Sequence, residues 1–252
     1  MRPFYVLTRP QQVYVVCAAI FITALVIAEA TAGKFFQAFS LPFTYRLFGF
    51  ETDVVVMTAG VLAFPVTFIV TAVMNEYFGP RGIRFVTLLG MAMVVFEFAL
   101  LQLALAVPAT PDSPVSGEAF GLVFGTTGRV IVGSLTAYLI GQLVDISLFH
   151  WLRRLTAGRH LWLRATGSTL GSQFLDTFVV LTVAFAGQIA FGQIVAITLF
   201  NYAYKVVIAV AITPLIYLGH WLIDRFLGHE TAEALTEQAA HDEVGAAPVT
   251  GG

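Results

Sequence analysis

Two apolar stretches of this 252-residue chain each carry a Gln and an Asp one helical turn apart. The pairs are Gln142 with Asp145 and Gln173 with Asp176. Residues three apart lie on the same face of a helix, so each pair would present an amide and a carboxylate together. A carboxylate at the centre of a membrane helix costs about 2.5 to 3.5 kcal/mol even on lenient insertion scales. A bound solute with several N–H donors, or an ion or proton path, would offset that cost.

A third polar stripe follows in the last apolar stretch. At about 100° per residue, Asn201, Tyr202 and Lys205 share one helix face. Ser134 and Tyr138 extend the face of the first Gln/Asp pair in the same way. Hydrogen bonds between helices, worth about 0.6 kcal/mol each, are the ordinary role of polar residues in bundles. Ionisable residues at membrane depth more often mark a pathway or a site, so bundling the stripes inward predicts a central polar cavity.

The composition is that of an integral membrane protein. Hydrophobic residues make up 58% of the chain and charged residues 11%, against about 25% charged in soluble domains. The net charge of -2 provides no basic face for nucleic acid, and the single Cys17 excludes a disulfide framework or a cysteine zinc site. HExxH, GxSxG and P-loop lysine motifs are missing from the sequence. We therefore predict no catalytic residues, no metal site and no cofactor.

Six apolar runs are long enough to cross a bilayer, which takes about 20 residues each. They cover residues 13–33, 54–74, 84–107, 121–150, 167–190 and 194–222. The sequence thus predicts an all-α, multi-pass protein of the cell inner membrane, with a bundle of six transmembrane helices in residues 1–228. An acidic cytoplasmic tail, 229–252, would follow and be disordered at its end. The aromatic and polar residues of segment 34–51 suit an interfacial helix, a re-entrant cap or an aromatic belt.

The basic residues of the loops predict the orientation. Nine arginines fall in the N-terminal segment, the loops after the second and fourth runs, and the tail, whereas the opposite loops hold only Lys34 and Arg46. Because cytoplasmic loops are enriched in Lys and Arg, both termini are predicted to be cytoplasmic.

Further polar residues fall within the apolar runs or at their ends. Glu29 lies in the first run, Asn75 and Glu76 end the second, and Glu97 and Arg129 lie in the third and fourth. Glu97 is either the partner of Arg129 or a neutral carboxyl group, and the sequence leaves both readings open.

In order along the chain, these residues resemble a known family. The resemblance rests on segment 59–79, which contains Phe64-Pro65 and Asn75-Glu76, and then on Arg129, Ser134, Ala137-Tyr138, Gly141-Gln142, Asp145, Ser168-Thr169, Gln173, Asp176-Thr177, Tyr202 and Lys205. The resemblance covers nearly all six runs. The family that these residues resemble is the queuosine precursor transporters of the vitamin uptake transporter family. The resemblance implies a membrane transporter rather than an enzyme. Its substrates would be 7-cyano-7-deazaguanine and 7-aminomethyl-7-deazaguanine, precursors of the modified tRNA nucleoside queuosine.

The intramembrane polar residues then become the predicted site for a 7-deazapurine base. They are Asn75, Glu76, Arg129, Tyr138, Gln142, Asp145, Gln173, Asp176, Asn201, Tyr202 and Lys205. A guanine-like edge donates a ring N–H and an amine to a carboxylate, and its carbonyl accepts from Gln, Asn, Arg or Lys. Either Asp145 or Asp176 would accept the hydrogen bonds that this edge donates. Tyr138, Tyr202 or a phenylalanine of the second run would stack on the flat ring.

Two positions depart from the family pattern. Ala72 stands where many members carry Asp, and Glu29 stands where many carry Asn. The preferred deazapurine, the coupling ion and the formation of a homo-oligomer therefore stay open. An alternative function is the substrate-binding subunit of an energy-coupling-factor vitamin importer, because the small residues Ala24, Ala28 and Ala32 would allow close approach of a membrane partner.

Overall fold

Helices make up most of this computed structural model, which describes residues 7–125, 128–140 and 161–246. The elements are α1 (Arg9–Thr31), β1 (Phe35–Leu47), β2 (Phe50–Thr58), a 3-10 turn (Ala59–Ala63), α2 (Phe64–Ala106), α3 (Gly117–Phe124), α4 (128–140), α5 (Leu161–Phe185), α6 (Phe191–Ala211), α7 (Thr213–Leu227) and α8 (His229–Ala246). Side chains are described throughout these ranges except at 161–170 and 240–246.

Four helical segments of the described chain are long and apolar enough to cross a membrane. They are Arg9–Thr31, Ala59–Ala106, Gly117–Ile140 and Phe191–Ala211, and Gly171–Phe185 is a shorter apolar helix. The 48-residue segment Ala59–Ala106 contains most of the second predicted run and nearly all of the third. These lengths fit a multi-pass membrane protein, while the count of six spans and the cytoplasmic termini stay predictions.

The long helix α2 is two helices joined at Gly79. This residue has φ 62° and ψ -176°, a backbone conformation outside the helical region that glycine adopts without a Cβ penalty. Pro80 follows and cannot donate a helix hydrogen bond. A Cβ at Gly79 would also lie 3.3 Å from the Cα of Ala239. The junction falls between the predicted runs 54–74 and 84–107, where the sequence predicts a loop.

The aromatic segment after α1 is a β-hairpin, so the predicted interfacial helix is wrong, whereas the re-entrant cap and the aromatic belt stay predictions. Strands β1 and β2 pair antiparallel, with Phe35 opposite Thr58 and Leu47 opposite Phe50. Phe48 and Gly49 make the turn, and both have positive φ, the pattern of the tight turns that join antiparallel strands. Alternating aromatic and polar residues have the period of two that a strand requires. The all-α prediction therefore fails here, including residues 54–58 of the second predicted run.

The last predicted run, 194–222, is divided between two helices. Helix α6 ends at Ala211, and α7 begins at Thr213 with Pro214 in its first turn. Proline is tolerated in a first turn because the N–H it lacks would have no partner there, whereas inside a helix its ring clashes with the preceding turn. The proline thus begins α7.

The residues that we expected to be a tail disordered at its end form helix α8 as far as Ala246. Ala232 of this helix is buried in a cluster with Tyr77 and Leu227. Burying an apolar face in this way stabilises a helix whose sequence alone has little hydrophobic character. Residues 247–252 lie outside the described part of the chain.

The chain divides into two compact units. The first comprises Met1–Ala28, Leu62–Val94 and Val207–Gly252, and the second comprises Glu29–Val61 and Val95–Val206. In the first unit, side chains of α1 and α2 surround the fully buried Met74 and Val86. In the second, α4, α5 and α6 share a core of Val130, Leu181, Ala184, Phe185, Ile194 and Ile197. That core positions the polar stripes of α4, α5 and α6.

Reporter fusions test the predicted orientation. Fusions after Gly158 and at the C-terminus should read as cytoplasmic, and one at Asp112, between α2 and α3, should read as external. The reason is the excess of arginines on one side, nine against two basic residues in the opposite loops. Paired alkaline phosphatase and fluorescent protein fusions at each position measure whether it is external or cytoplasmic. An external reading after Gly158 would contradict the orientation.

Candidate functional site

An ion pair joins the polar faces of α5 and α6 within the second unit. The Lys205 Nζ lies 3.7 Å from Asp176 Oδ2 and donates a hydrogen bond to Thr177 Oγ1 at 3.0 Å. The Lys205 side chain is 18% exposed and the Asp176 side chain 36%. An ionised carboxylate has about four acceptor positions, so this contact leaves Asp176 able to accept further hydrogen bonds. The stripes of α5 and α6 face each other, as their helical phase indicates.

Glu29, near the end of α1, joins the polar group from another side. Ser134 Oγ on α4 donates a hydrogen bond to Glu29 Oε2 at 2.8 Å. Glu29 also interacts electrostatically with Asp176, Glu97 and Lys205. Glu29 lies within the first predicted apolar run but is not among the predicted site residues. Its signal was an ionisable side chain inside an apolar run, which by itself indicates a functional position.

Asn201 fastens the hairpin to α6. Its Oδ1 accepts from the Thr58 N–H at 3.3 Å, and its Nδ2 donates to Thr58 Oγ1 at 3.0 Å. Both residues are buried, with Asn201 3% and Thr58 5% exposed. A buried amide without partners would destabilise the fold, so these two bonds give Asn201 an architectural role.

Arg129 and Glu97 do not form the pair that the sequence analysis considered. Arg129 Nη2 donates to the Ala186 carbonyl at 2.9 Å, which ties α4 to the end of α5. Glu97 Oε2 is buried and has no hydrogen-bond partner in the described part of the chain. The close approach of α4 to α5 depends on Gly133, where a Cβ would lie 2.9 Å from the Val180 carbonyl oxygen.

An aromatic surface lies beside the ion pair. Tyr202 of α6 makes an edge-to-face contact with Phe174 of α5, with ring centroids 5.4 Å apart. Gln173 and Tyr138 are half-buried on α5 and α4. Rings held in this way can stack on a flat ligand, because aromatic side chains lose little conformational freedom on binding.

Two of the predicted site residues are not described by the structure, and two others lie in the first unit. Gln142 and Asp145 lie outside the described residues. Asn75 and Glu76 are exposed and belong to the first unit. There Glu76 lines a cleft of about 280 Å³ whose wall includes Tyr77, His220, Asp224 and residues of α8. Within the described ranges, no group of three or more His, Cys, Asp or Glu side chains is placed to hold a metal ion.

Together, the side chains of α5 and α6 offer complementary chemistry for a planar polar solute. Asp176 accepts hydrogen bonds, and Lys205 donates them. Tyr202 supplies an aromatic surface next to both, since it lies three residues from Lys205 on α6. Such a set recognises a flat ring that carries donors on one edge and a carbonyl.

Known proteins are similar to this chain in sequence. Residues 58–219 match the family model described as "Putative vitamin uptake transporter". The chain is 32% identical over 182 residues to a "Probable queuosine precursor transporter" of Bacillus subtilis, covering 71% of this chain and 76% of that relative. It is 27% identical to the "Queuosine precursor transporter" of Escherichia coli over 65% of this chain and 70% of that relative. A further "Probable queuosine precursor transporter", of Haemophilus influenzae, is 27% identical over 51% of this chain and 52% of that relative. No solved structure gives a significant match.

Proposed function

The chain belongs to the vitamin uptake transporter family, and we propose that it carries queuosine precursors inward across the cell inner membrane. The predicted family is confirmed, and so is the prediction of a transporter rather than an enzyme. The proposed substrates are 7-cyano-7-deazaguanine and 7-aminomethyl-7-deazaguanine. Both present the same guanine-like edge, so one site would serve both.

The ion pair between Asp176 and Lys205 is the observation that supports a ligand of this kind. In the proposal, Asp176 accepts from the ring N–H and the exocyclic amine, while Lys205 donates to the ring carbonyl. The Lys205 Nζ and Asp176 Oδ2 atoms lie 3.7 Å apart, so the acceptor and the donor are already next to each other. Charge-assisted hydrogen bonds of this kind are shorter and roughly twice as strong as neutral ones. Tyr202 would stack on the ring, and Gln173 would extend the polar edge.

Substrate binding would replace part of the contact between Asp176 and Lys205. Without solute, each charge compensates the other at membrane depth, which lowers the cost of keeping them there. With solute, the donor edge and the carbonyl take over as partners. The remaining predicted contacts stay predictions, and they are Asn75, Glu76, Arg129, Tyr138, Gln142, Asp145 and Asn201. The alternative function, a subunit of an energy-coupling-factor importer, rests on the small residues of α1 and gains no support from the relatives, which are named as queuosine precursor transporters.

Uptake in cells tests the proposed function. A host that neither makes queuosine nor carries its own precursor transporter should regain queuosine in its tRNA when it expresses this chain. One precursor is fed at a time at low concentration, and nucleoside analysis of the tRNA is the readout. The same host without this chain is the control. Restoration only after an ATPase-containing system is added would favour the alternative. No restoration with either precursor would contradict the proposed substrates.

A further inference from the structure

Glu29 carries a carboxyl group that recognition of the guanine-like edge does not require. It lies near the C-terminal end of α1, in an apolar helix long enough to cross the membrane. Its Oε2 is occupied by the hydroxyl of Ser134 at 2.8 Å. An ionisable group kept at this depth generally has a function beyond packing, because an apolar side chain would be easier to accommodate.

The charges around Glu29 are unbalanced among the described residues. The elements that face it contribute Ser134 from α4, Asp176 from α5, Lys205 from α6 and Glu97 from α2. Three carboxyl groups thus share one ammonium group. Asp176 holds that ammonium at 3.7 Å. A further ionised carboxylate in this set would have no positive charge of its own to compensate it in a medium of low polarity.

We propose that Glu29 binds the proton that drives uptake, so that this carrier is a proton-coupled transporter whose proton site shares Asp176 and Lys205 with the solute site. The inference rests on the proposed function. On the external side, water delivers a proton to Oε1 of the Glu29 carboxylate. The group is then neutral, and Asp176 with Lys205 forms a balanced pair. On the internal side, the proton returns to water after the solute leaves.

The coupling follows from the shared neighbours. A solute that engages Asp176 and Lys205 changes both of the opposite charges that Glu29 experiences. Proton binding and solute binding therefore influence each other's affinity, which is the thermodynamic condition for coupled transport. A carrier without such a group would only equilibrate its solute across the membrane.

Two assays on the purified full-length protein in liposomes separate transport from coupling. Counterflow of labelled 7-cyano-7-deazaguanine at equal pH on both sides measures exchange, which needs no net proton movement. Accumulation with an acidic exterior measures coupling. The wild type should do both, and a gradient of about one pH unit should raise accumulation by up to about tenfold, the limit for one proton per solute. Glu29→Gln should keep counterflow and lose the response to the gradient.

The matched control is Glu118→Gln, the same chemical change at an exposed position in the first turn of α3. It should leave both assays unchanged. Gradient-driven accumulation by Glu29→Gln, or wild-type accumulation that does not respond to the gradient, would overturn the proton site alone. Absence of wild-type counterflow would overturn the proposed function and the coupling with it.

A second variant decides the question if Glu29→Gln does not reach the membrane. Glu29→Asp keeps a titratable carboxyl group but withdraws it from Ser134. Its gradient-driven uptake should persist with a displaced pH profile. A pH profile identical to that of the wild type would overturn the proposal.

Discussion

Asp176→Asn should lower uptake roughly 30- to 150-fold while the protein still accumulates in the membrane, which corresponds to about 2 to 3 kcal/mol. The amide keeps the size of the carboxylate but places N–H donors where the proposed substrate also donates. It also removes the charge 3.7 Å from the Lys205 ammonium. Initial rates of precursor uptake, normalised to the amount of protein in the membrane, measure the effect. Asp112→Asn, the same change in the exposed loop after α2, should have no effect.

A double substitution separates substrate contact from charge compensation. If Asp176 only neutralised Lys205, removing both charges in Asp176→Asn/Lys205→Gln would restore uptake. We expect the double variant to stay as low as Asp176→Asn, because both residues would bind the substrate. When Lys205→Gln alone is measured as well, the cycle of the two single variants and the double variant gives the coupling energy of the pair. Recovery of uptake in the double variant would contradict a direct contact.

Gly192→Ala should destabilise the protein by about 1 to 3 kcal/mol, the usual cost of adding a methyl group to a filled core. Gly192 is buried near the start of α6, and a Cβ there would overlap the Leu47 carbonyl oxygen and lie 2.7 Å from the Phe50 Cβ. The hairpin would have to move away from α6. A lower melting temperature in detergent and a smaller amount of protein in the membrane would show it.

Gly121→Ala is the control for this change. It adds the same methyl group within helix α3, where no atom lies within 4 Å of the new Cβ. Alanine favours helix over glycine by about 0.8 to 1.0 kcal/mol, so the melting temperature should stay the same or rise. Equal destabilisation by Gly192→Ala and Gly121→Ala would contradict the packing of the hairpin against α6.

Much of the helical framework can be predicted from hydropathy, but the hairpin cannot. Apolar length and Lys/Arg placement are local properties, so they point to the helical segments and to an orientation. The segment 34–51 alternates aromatic and polar residues, which suits both a membrane interface and a strand. The hairpin forms because strand β1 pairs with strand β2, and this pairing depends on contacts between two separate segments. The break before α7 did have a local signal in Thr213-Pro214, since a proline near the start of a helix ends the preceding one.

At the candidate site, the sequence predicted which residues take part but not all of their hydrogen-bond and ion-pair partners. Helical phase placed Asp176 and Lys205 on faces that meet, because phase is set by the periodicity of a single helix. The partner of Asn201 is Thr58, 143 residues away, and no periodicity links positions so far apart. Glu29 was visible as a charge in an apolar run, yet its contact with Ser134 depends on how α1 packs against α4.

The two hydrogen bonds between Asn201 and Thr58 matter for redesigning the selectivity of this carrier. A library that randomises Asn201 would mix altered recognition with detachment of the strand end, because most replacements leave the buried Thr58 N–H unpaired. Gln173 and Tyr202 are half-buried on the faces of α5 and α6 that carry the ion pair. Diversity directed to these two positions would sample new ligand preferences while the junction of hairpin and helix stays in place.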